Sequence, residues 1–215
     1  MTGDVSGVRD TRDVSAEINQ ALESKFVKAI VLEIDSGGGS VDGTEELAGV
    51  VANADKPVIV WGDGLIASAA YWVASQADYI MMSSATTSEV GSIGVYSIYA
   101  NYSGYLEKEG VDMRILRSTG SSDKVALNPI EEPSQEAIDV EVAQMDVILG
   151  TFTKAVRGAR AEKLTNAQNQ DIDVFTGKVF NASEGIELGL VDSIGTLDDA
   201  IFLAVDMAAD KFSDN

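Results

Sequence analysis

Neither histidine nor cysteine occurs anywhere in the 215 residues of this chain. Their absence removes Ser-His-Asp triads, Cys-His pairs, imidazole-ligated zinc and thiolate metal sites together. It also removes disulfides, so folding must rest on a hydrophobic core. Proline is scarce and aromatic residues make up only 7%, while hydrophobic residues reach 45%. That balance fits an ordered α/β protein rather than a disordered one. No apolar run approaches the roughly 18 residues of a membrane span. The segment Met1–Arg12 is polar, carries both charge signs and lacks the basic-then-apolar order of a secretory signal. These absences predict one soluble domain over residues 1–215, with a flexible or truncated polar segment over 1–13 and no membrane anchor.

Positive charge is also short. Fifteen basic residues face 35 acidic ones, for a net charge of −20. With no local basic patch in view, binding to nucleic acid or an anionic membrane is disfavoured. An acidic surface serves solubility; adaptation to salt and an electrostatic role in assembly are alternatives.

What is present is a repeating strand-helix pattern. Ala29–Ile34 is a continuous apolar run that ends in Asp35-Ser-Gly-Gly-Gly-Ser40, as a buried strand entering a tight turn would. Asp42–Asn53 has helical spacing. Pro57–Trp61 reads as a second strand, Gly62-Asp-Gly64 as a turn, and Ala67–Ala77 as a helix of small residues. Tyr79–Met82 reads as a third strand. Units of this spacing predict parallel strands joined by right-handed crossovers. Further on, Ile93–Ile98 and Asp112–Arg117 read as strands, Ser103–Glu109 as a helix and Ser118–Glu132 as a polar loop. A long helix starts near Ser134, an N-cap residue, with Ile138, Val142, Met145, Ile148, Leu149 and Phe152 along one stripe. Helices over Ser183–Gly189 and Leu197–Ala209 close the chain.

Chemistry concentrates in a few places. The glycines after Ser36 leave backbone N–H groups unshielded by any Cβ, which suits an oxyanion or phosphate cradle and equally a plain tight turn. Neither a Walker A nor a GxGxxG spacing is met. Ser68 follows a glycine-rich stretch at the start of a helix; it reads either as a nucleophile or as an ordinary small helix residue. Without imidazole, a serine nucleophile needs another base, and lysine is the side chain that becomes one when desolvated. A lysine serving near neutral pH must lose roughly 3 units from about 10.4, or about 4 kcal/mol against its charged form. Lys124, in the polar loop, is the lysine of interest, though a loop lysine is ordinarily just solvated.

Taken together, several short motifs resemble the signal peptide peptidase A family of serine peptidases, and within it the phage and prophage branch of capsid-assembly proteases. The markers are Ile30-Val-Leu-Glu-Ile-Asp-Ser-Gly-Gly-Gly39, Lys56-Pro-Val58, Ala67-Ser-Ala-Ala-Tyr-Trp-Val-Ala74, Gly91-Ser-Ile-Gly-Val95, the Lys124 loop and Gly189-Leu-Val-Asp192. They run in register over about Val14–Ala204. The resemblance implies an α/β Clp protease/crotonase-like fold of repeated ββα/βα units, with a parallel core sheet and a long helix in the C-terminal half. It implies a Ser/Lys dyad, with Ser68 as nucleophile and Lys124 as general base. Gly38 and Ala69 take the oxyanion-hole positions and Ser92 orients the lysine. No cofactor and no metal are implied. Partners would be a polypeptide substrate and further copies of the chain, in a ring or dome whose sites are sometimes shared between subunits.

The pattern departs from the family's usual one at Ser36-Gly37, where proline is usual, and at Ser68-Ala-Ala-Tyr71, where Ser-Gly-Gly-Tyr is common. The lysine loop also differs, reading Ser121-Ser-Asp-Lys124. A leading strand and membrane anchor found in cellular members are missing before Gly3, which predicts a soluble phage-type enzyme or a trimmed chain. The expected function is a serine endopeptidase in phage capsid or scaffold maturation, acting in the host cytoplasm or prohead. Alternatives are signal-peptide or small-peptide degradation by the same dyad, a catalytically inactive assembly module, and a crotonase-like thioester enzyme that leaves Ser68 and Lys124 without a role.

Overall fold

The computed structural model describes residues 9–165 and 171–213. The chain divides into two compact units, one running to Gly94 and resuming at Thr151, the other Val95–Gly150. The first opens with α1 (Thr11–Glu23), capped by Asp10, whose carboxylate accepts the Arg12 N–H at 2.8 Å. Polar along most of its length, this helix was not evident from sequence; it buries Ile18. Its C-terminal carbonyls are capped from a distance. Lys56 Nζ, itself buried, donates to the oxygens of Ala21, Leu22 and Ser24 at 2.9, 2.5 and 2.7 Å.

Then follow β1 (Ile30–Ser36), α2 (Thr44–Ala52), β2 (Val58–Ala67), α3 (Ala69–Ala74), β3 (Tyr79–Met82) and β4 (Glu89–Gly91). β2 is the central strand, and its run Val58–Trp61 is buried, as expected of a parallel strand covered on both faces. It pairs in parallel with β1 from Ile30↔Val58 to Ile34↔Gly62 and with β3 from Ile59↔Tyr79 to Gly62↔Met82. Further along, it pairs with β4, ending at Ala67↔Gly91. The sequence reading of a turn at Gly62-Asp-Gly64 is corrected here. The strand continues through those residues as a bulge, with Asp63, Gly64 and Leu65 set against Asp35 between the pairs Ile34↔Gly62 and Ser36↔Ile66.

The second unit carries α4 (Ser103–Lys108) and the start of α5 (Gln135–Ala159). Ser134 caps α5 as expected, accepting the Ala137 N–H at 3.1 Å. The expected strands over 93–98 and 112–117 do not form. Those segments display Tyr96, Ile98 and Leu116 at 82, 84 and 92% exposure instead. The stripe on α5 is likewise only partly covered: Phe152 is buried, whereas Ile138 and Val142 are exposed.

The first unit closes with α6 (Ala161–Thr165), β5 (Val179–Asn181), α7 (Ala182–Glu187), β6 (Ser193–Ile194) and α8 (Leu197–Ser213). The result is a six-stranded sheet in the order β5-β4-β2-β3-β6, with β1 also on β2. All pairings are parallel except β4 with β5. Ala200 and Ala204 of α8 pack on Ile59, Trp61 and Met81. Among the described residues no helix is long and apolar enough to cross a membrane.

A buried ion pair ties the late elements to the sheet. Arg160 donates to both Asp192 oxygens, at 2.8 and 3.0 Å, and to the Gly189 carbonyl. Asp192 also accepts from Lys163 and from the Ile80 N–H. Burial pushes the Asp192 carboxyl up, but Arg160, Lys163 and the Ile80 amide outweigh it and hold it below its ordinary value. A lowered carboxyl stabilises the fold above its unfolded pKa, near about 4, and loses that contribution as pH falls through the folded value. Asp192→Asn strands Arg160 without its counter-charge and should cost about 3–5 kcal/mol in urea unfolding at pH 7. Below about pH 4 the gap between variant and parent should narrow.

Candidate active site

The chain passes from β2 into α3 through a single residue, Ser68, at φ 53°, ψ −126°. Such a conformation costs on the order of 1–3 kcal/mol and persists only where its surroundings hold it. Strand, strained serine and helix together have the shape of a nucleophile elbow, which lifts the serine oxygen clear of the backbone. The Ser68 N–H donates to the Gly91 carbonyl at 2.9 Å and the Ser68 carbonyl accepts from the Trp72 N–H at 3.0 Å. Its hydroxyl caps nothing and the residue is half-buried.

The helix that follows is firmly anchored. The Tyr71 hydroxyl donates to the Leu190 carbonyl at 3.0 Å, and Trp72 stacks on Phe152 with ring centroids 4.8 Å apart. Burial pushes the Tyr71 phenol up well beyond its ordinary value, against the pull of the Arg160 charge.

Gly38 lies against the elbow at φ 94°. A Cβ built there would fall 2.8 Å from the Ala67 oxygen, 2.8 Å from Ser68 Cβ and 2.9 Å from the Ala69 nitrogen. The Ala69 N–H, first in α3, has no carbonyl within the helix to bond. The Gly38 N–H makes a long bond of 3.2 Å to Ser36 Oγ. Just before the glycine segment, Asp35, quoted in the motif but given no role there, ties β1 to the bulge of β2. Its Oδ1 accepts the Leu65 N–H at 2.9 Å, and a Cβ on Gly64 would meet that oxygen at 2.7 Å. An acidic residue ending one strand opposite a Gly-Asp-Gly stretch of the next was the available signal.

Ser92 directly follows Gly91, the residue paired with Ala67, so each serine sits one step beyond the last pair of adjacent parallel strands. Carboxyl ends of parallel strands are where α/β proteins place their sites. Ser92 has φ 52°, and its N–H donates to the Lys178 carbonyl at 2.8 Å. The first unit thus brings together Ser68, Ala69, Gly38 and Ser92. Lys124 belongs to the second unit, exposed on a turn in which its N–H donates to the Ser121 carbonyl at 3.2 Å.

Comparison with known proteins gives first a class. A solved enoyl-CoA hydratase/isomerase family protein from Silicibacter pomeroyi aligns with a TM-score of 0.53 and 12% identity, covering 94% of this chain and 70% of that one. The fold is the Clp/crotonase-like α/β fold expected from the motifs. Residues 51–210 match peptidase family S49, and the chain belongs to that family. It is 35% identical to Protease 4 of Salmonella typhi over 214 residues, which is 96% of this chain and 32% of that protein. It is 28% identical to capsid assembly protease C of Escherichia phage lambda over 198 residues, 91% of this chain and 43% of that protein. The chain therefore spans about a third of the first relative and less than half of the second.

The packing at Gly38 is directly testable. Gly38→Ala should destabilise the chain by about 1–3 kcal/mol in urea and displace the amide resonances of residues 67–69. Gly37→Ala, whose Cβ would meet nothing nearer than Leu65 at 3.7 Å, should be tolerated.

Proposed function

We propose that this protein is a serine endopeptidase in which Ser68 attacks the scissile carbonyl and Lys124 is the general base. One observation carries the reading: a serine on a strained strand-to-helix elbow, with the Gly38 backbone packed against the N–H of Ala69. Lys124 Nζ takes the Ser68 proton as Oγ bonds to the carbonyl carbon. The resulting oxyanion accepts from the N–H groups of Ala69 and Gly38, the latter exchanging its weak bond to Ser36 for the substrate oxygen. Collapse expels the amine with the proton returned by Lys124, and water then cleaves the acyl-enzyme by the same route. Ser92, with its strained backbone beside the elbow, orients the lysine.

The substrate is extended polypeptide, and the role proposed first is capsid or scaffold processing in a host cytoplasm or prohead, in keeping with the likeness to a phage capsid assembly protease. Clearance of cleaved signal peptides and other small peptides is the second reading, in keeping with 31% identity to a putative signal peptide peptidase SppA of Enterococcus faecium over 86% of this chain. Digestion profiles on capsid proteins against short apolar peptides separate the two.

Ser68→Ala and Lys124→Ala should each lower kcat/KM by at least about 10³-fold, with wild-type melting curves. A fluorophosphonate should label Ser68 in the wild type alone. Near-normal hydrolysis by Lys124→Ala removes the dyad from consideration.

Assembly into a ring or dome is part of the same proposal. Large side chains left in water at Tyr96, Ile98, Tyr105 and Leu116 support it. Light scattering should give a mass that is a multiple of 22.7 kDa. Replacing Ile98 and Leu116 together by serine should shift it toward the monomer.

A further inference from the structure

The lysine loop is held by a guanidinium that no motif pointed to. Arg117 Nε donates to the carbonyl of Lys124 at 2.7 Å, and its Nη2 to the carbonyl of Val125 at 2.9 Å. Nη2 also donates to Glu131 Oε2 at 2.7 Å, and Nη1 to Glu131 Oε1 at 3.2 Å. Asn128, which is buried, completes the frame. Its Nδ2 donates to the Val125 carbonyl at 3.0 Å and to Glu131 Oε2 at 2.9 Å. Its Oδ1 accepts the N–H groups of Ile130 and Glu131, and its carbonyl receives the Tyr99 hydroxyl at 2.7 Å. All of these residues lie in the second unit, which therefore fixes the loop by itself.

What the frame holds is an unfavourable conformation. Val125 has φ 57°, a left-handed angle that a β-branched residue rarely accepts. Left free, the backbone at Lys124–Val125 would relax and the lysine side chain would start from a different direction. An exposed ion pair alone has little hold on a loop. Here the planar fork of Arg117 engages two successive carbonyls and a carboxylate at once, a pattern that the single-point ammonium of lysine does not reproduce.

We propose that Arg117, with Glu131 and Asn128 behind it, is the positioning residue for Lys124: it fixes the direction in which the base leaves the loop. This role rests on the Ser68/Lys124 reading above. It predicts an effect on the chemical step more than on substrate binding, since neither Arg117 nor Glu131 need touch the peptide.

The experiment compares the whole chain with Arg117→Gln, Arg117→Lys and, as a control, Arg114→Gln, which loses only an exposed pair with Asp112. Peptide hydrolysis, thermal melting and amide hydrogen exchange are measured on each. Both Arg117 variants should lose at least about tenfold in kcat while KM stays within about twofold. The amides of Lys124 and Ala126, bonded to the Ser121 and Asp123 carbonyls, should exchange faster, with melting little changed. Arg114→Gln should match the wild type in all three. Wild-type kcat in Arg117→Gln, or unaltered exchange at Lys124 and Ala126, overturns the positioning role. So does a kcat loss that follows a collapse in melting temperature for both Arg117 variants. A wild type without Ser68-dependent hydrolysis sinks the peptidase reading and this role with it; an active wild type with an equally active Arg117→Gln sinks this role alone.

Discussion

Ser68 can keep its strained backbone only because the strand before it and the helix after it are each fixed by something other than Ser68. The parallel register that ends at Ala67↔Gly91 sets where β2 stops. The Ser68 N–H bond to Gly91 then directs the chain out of the sheet. On the far side, Tyr71 and Trp72 pin α3 to the segment around Leu190 and to Phe152. That segment is itself held by Arg160, which bridges Gly189 and Asp192. A strained residue costing a few kcal/mol is sustainable when breaking it would first require breaking a buried ion pair and a sheet. The bulge in β2 is in turn stitched to Asp35 near the end of β1, just before the glycine segment.

The parts of this fold legible in the sequence are those whose burial leaves a local mark. β3 coincides with the expected Tyr79–Met82, and β1 and α2 fall within two residues of expectation, because continuous apolar runs and helical spacing are properties of single segments. β4, β5 and β6 were missed; two or three residues are too few to carry a period. Residues 93–98 and 112–117 have the composition of strands yet find no ladder, since composition reports a preference and pairing needs a partner. At Gly62-Asp-Gly64 the error ran the other way. Turn-forming residues there serve a bulge, and the acceptor that makes the bulge possible is far away in sequence.

The candidate site divides along the same line. Ser68, Gly38, Ala69 and Ser92 could be named from motifs, and the structure gathers them at one end of adjacent strands. Lys124 could be named too, but what surrounds it could not. Asp35, Arg117 and Arg160 act through bonds to residues distant from them in the chain or to backbone carbonyls, neither of which leaves a trace in spacing. The strain at Ser68 and at Val125 is also silent in the sequence, because nothing in either side chain demands a positive φ.

A chain with 15 cations against 35 acidic groups has few to spare, and several of them are used on the backbone. Lys56 closes the end of α1 by meeting the carbonyls of Ala21, Leu22 and Ser24. Arg160 takes the carbonyl of Gly189, where α7 has ended and the chain turns toward β6. Arg117 takes the carbonyls of Lys124 and Val125, where the polar loop passes through a positive φ at Val125. Each cation meets carbonyls that regular structure leaves unpaired, the groups whose neglect is costly once water is partly excluded. A carboxylate can do nothing for a carbonyl, so the acidic majority cannot substitute. Lys124 differs from these three in that its own backbone is served by another cation. The brace thus fixes where the Lys124 side chain begins, whereas a lysine becomes a base only once its amine is also desolvated.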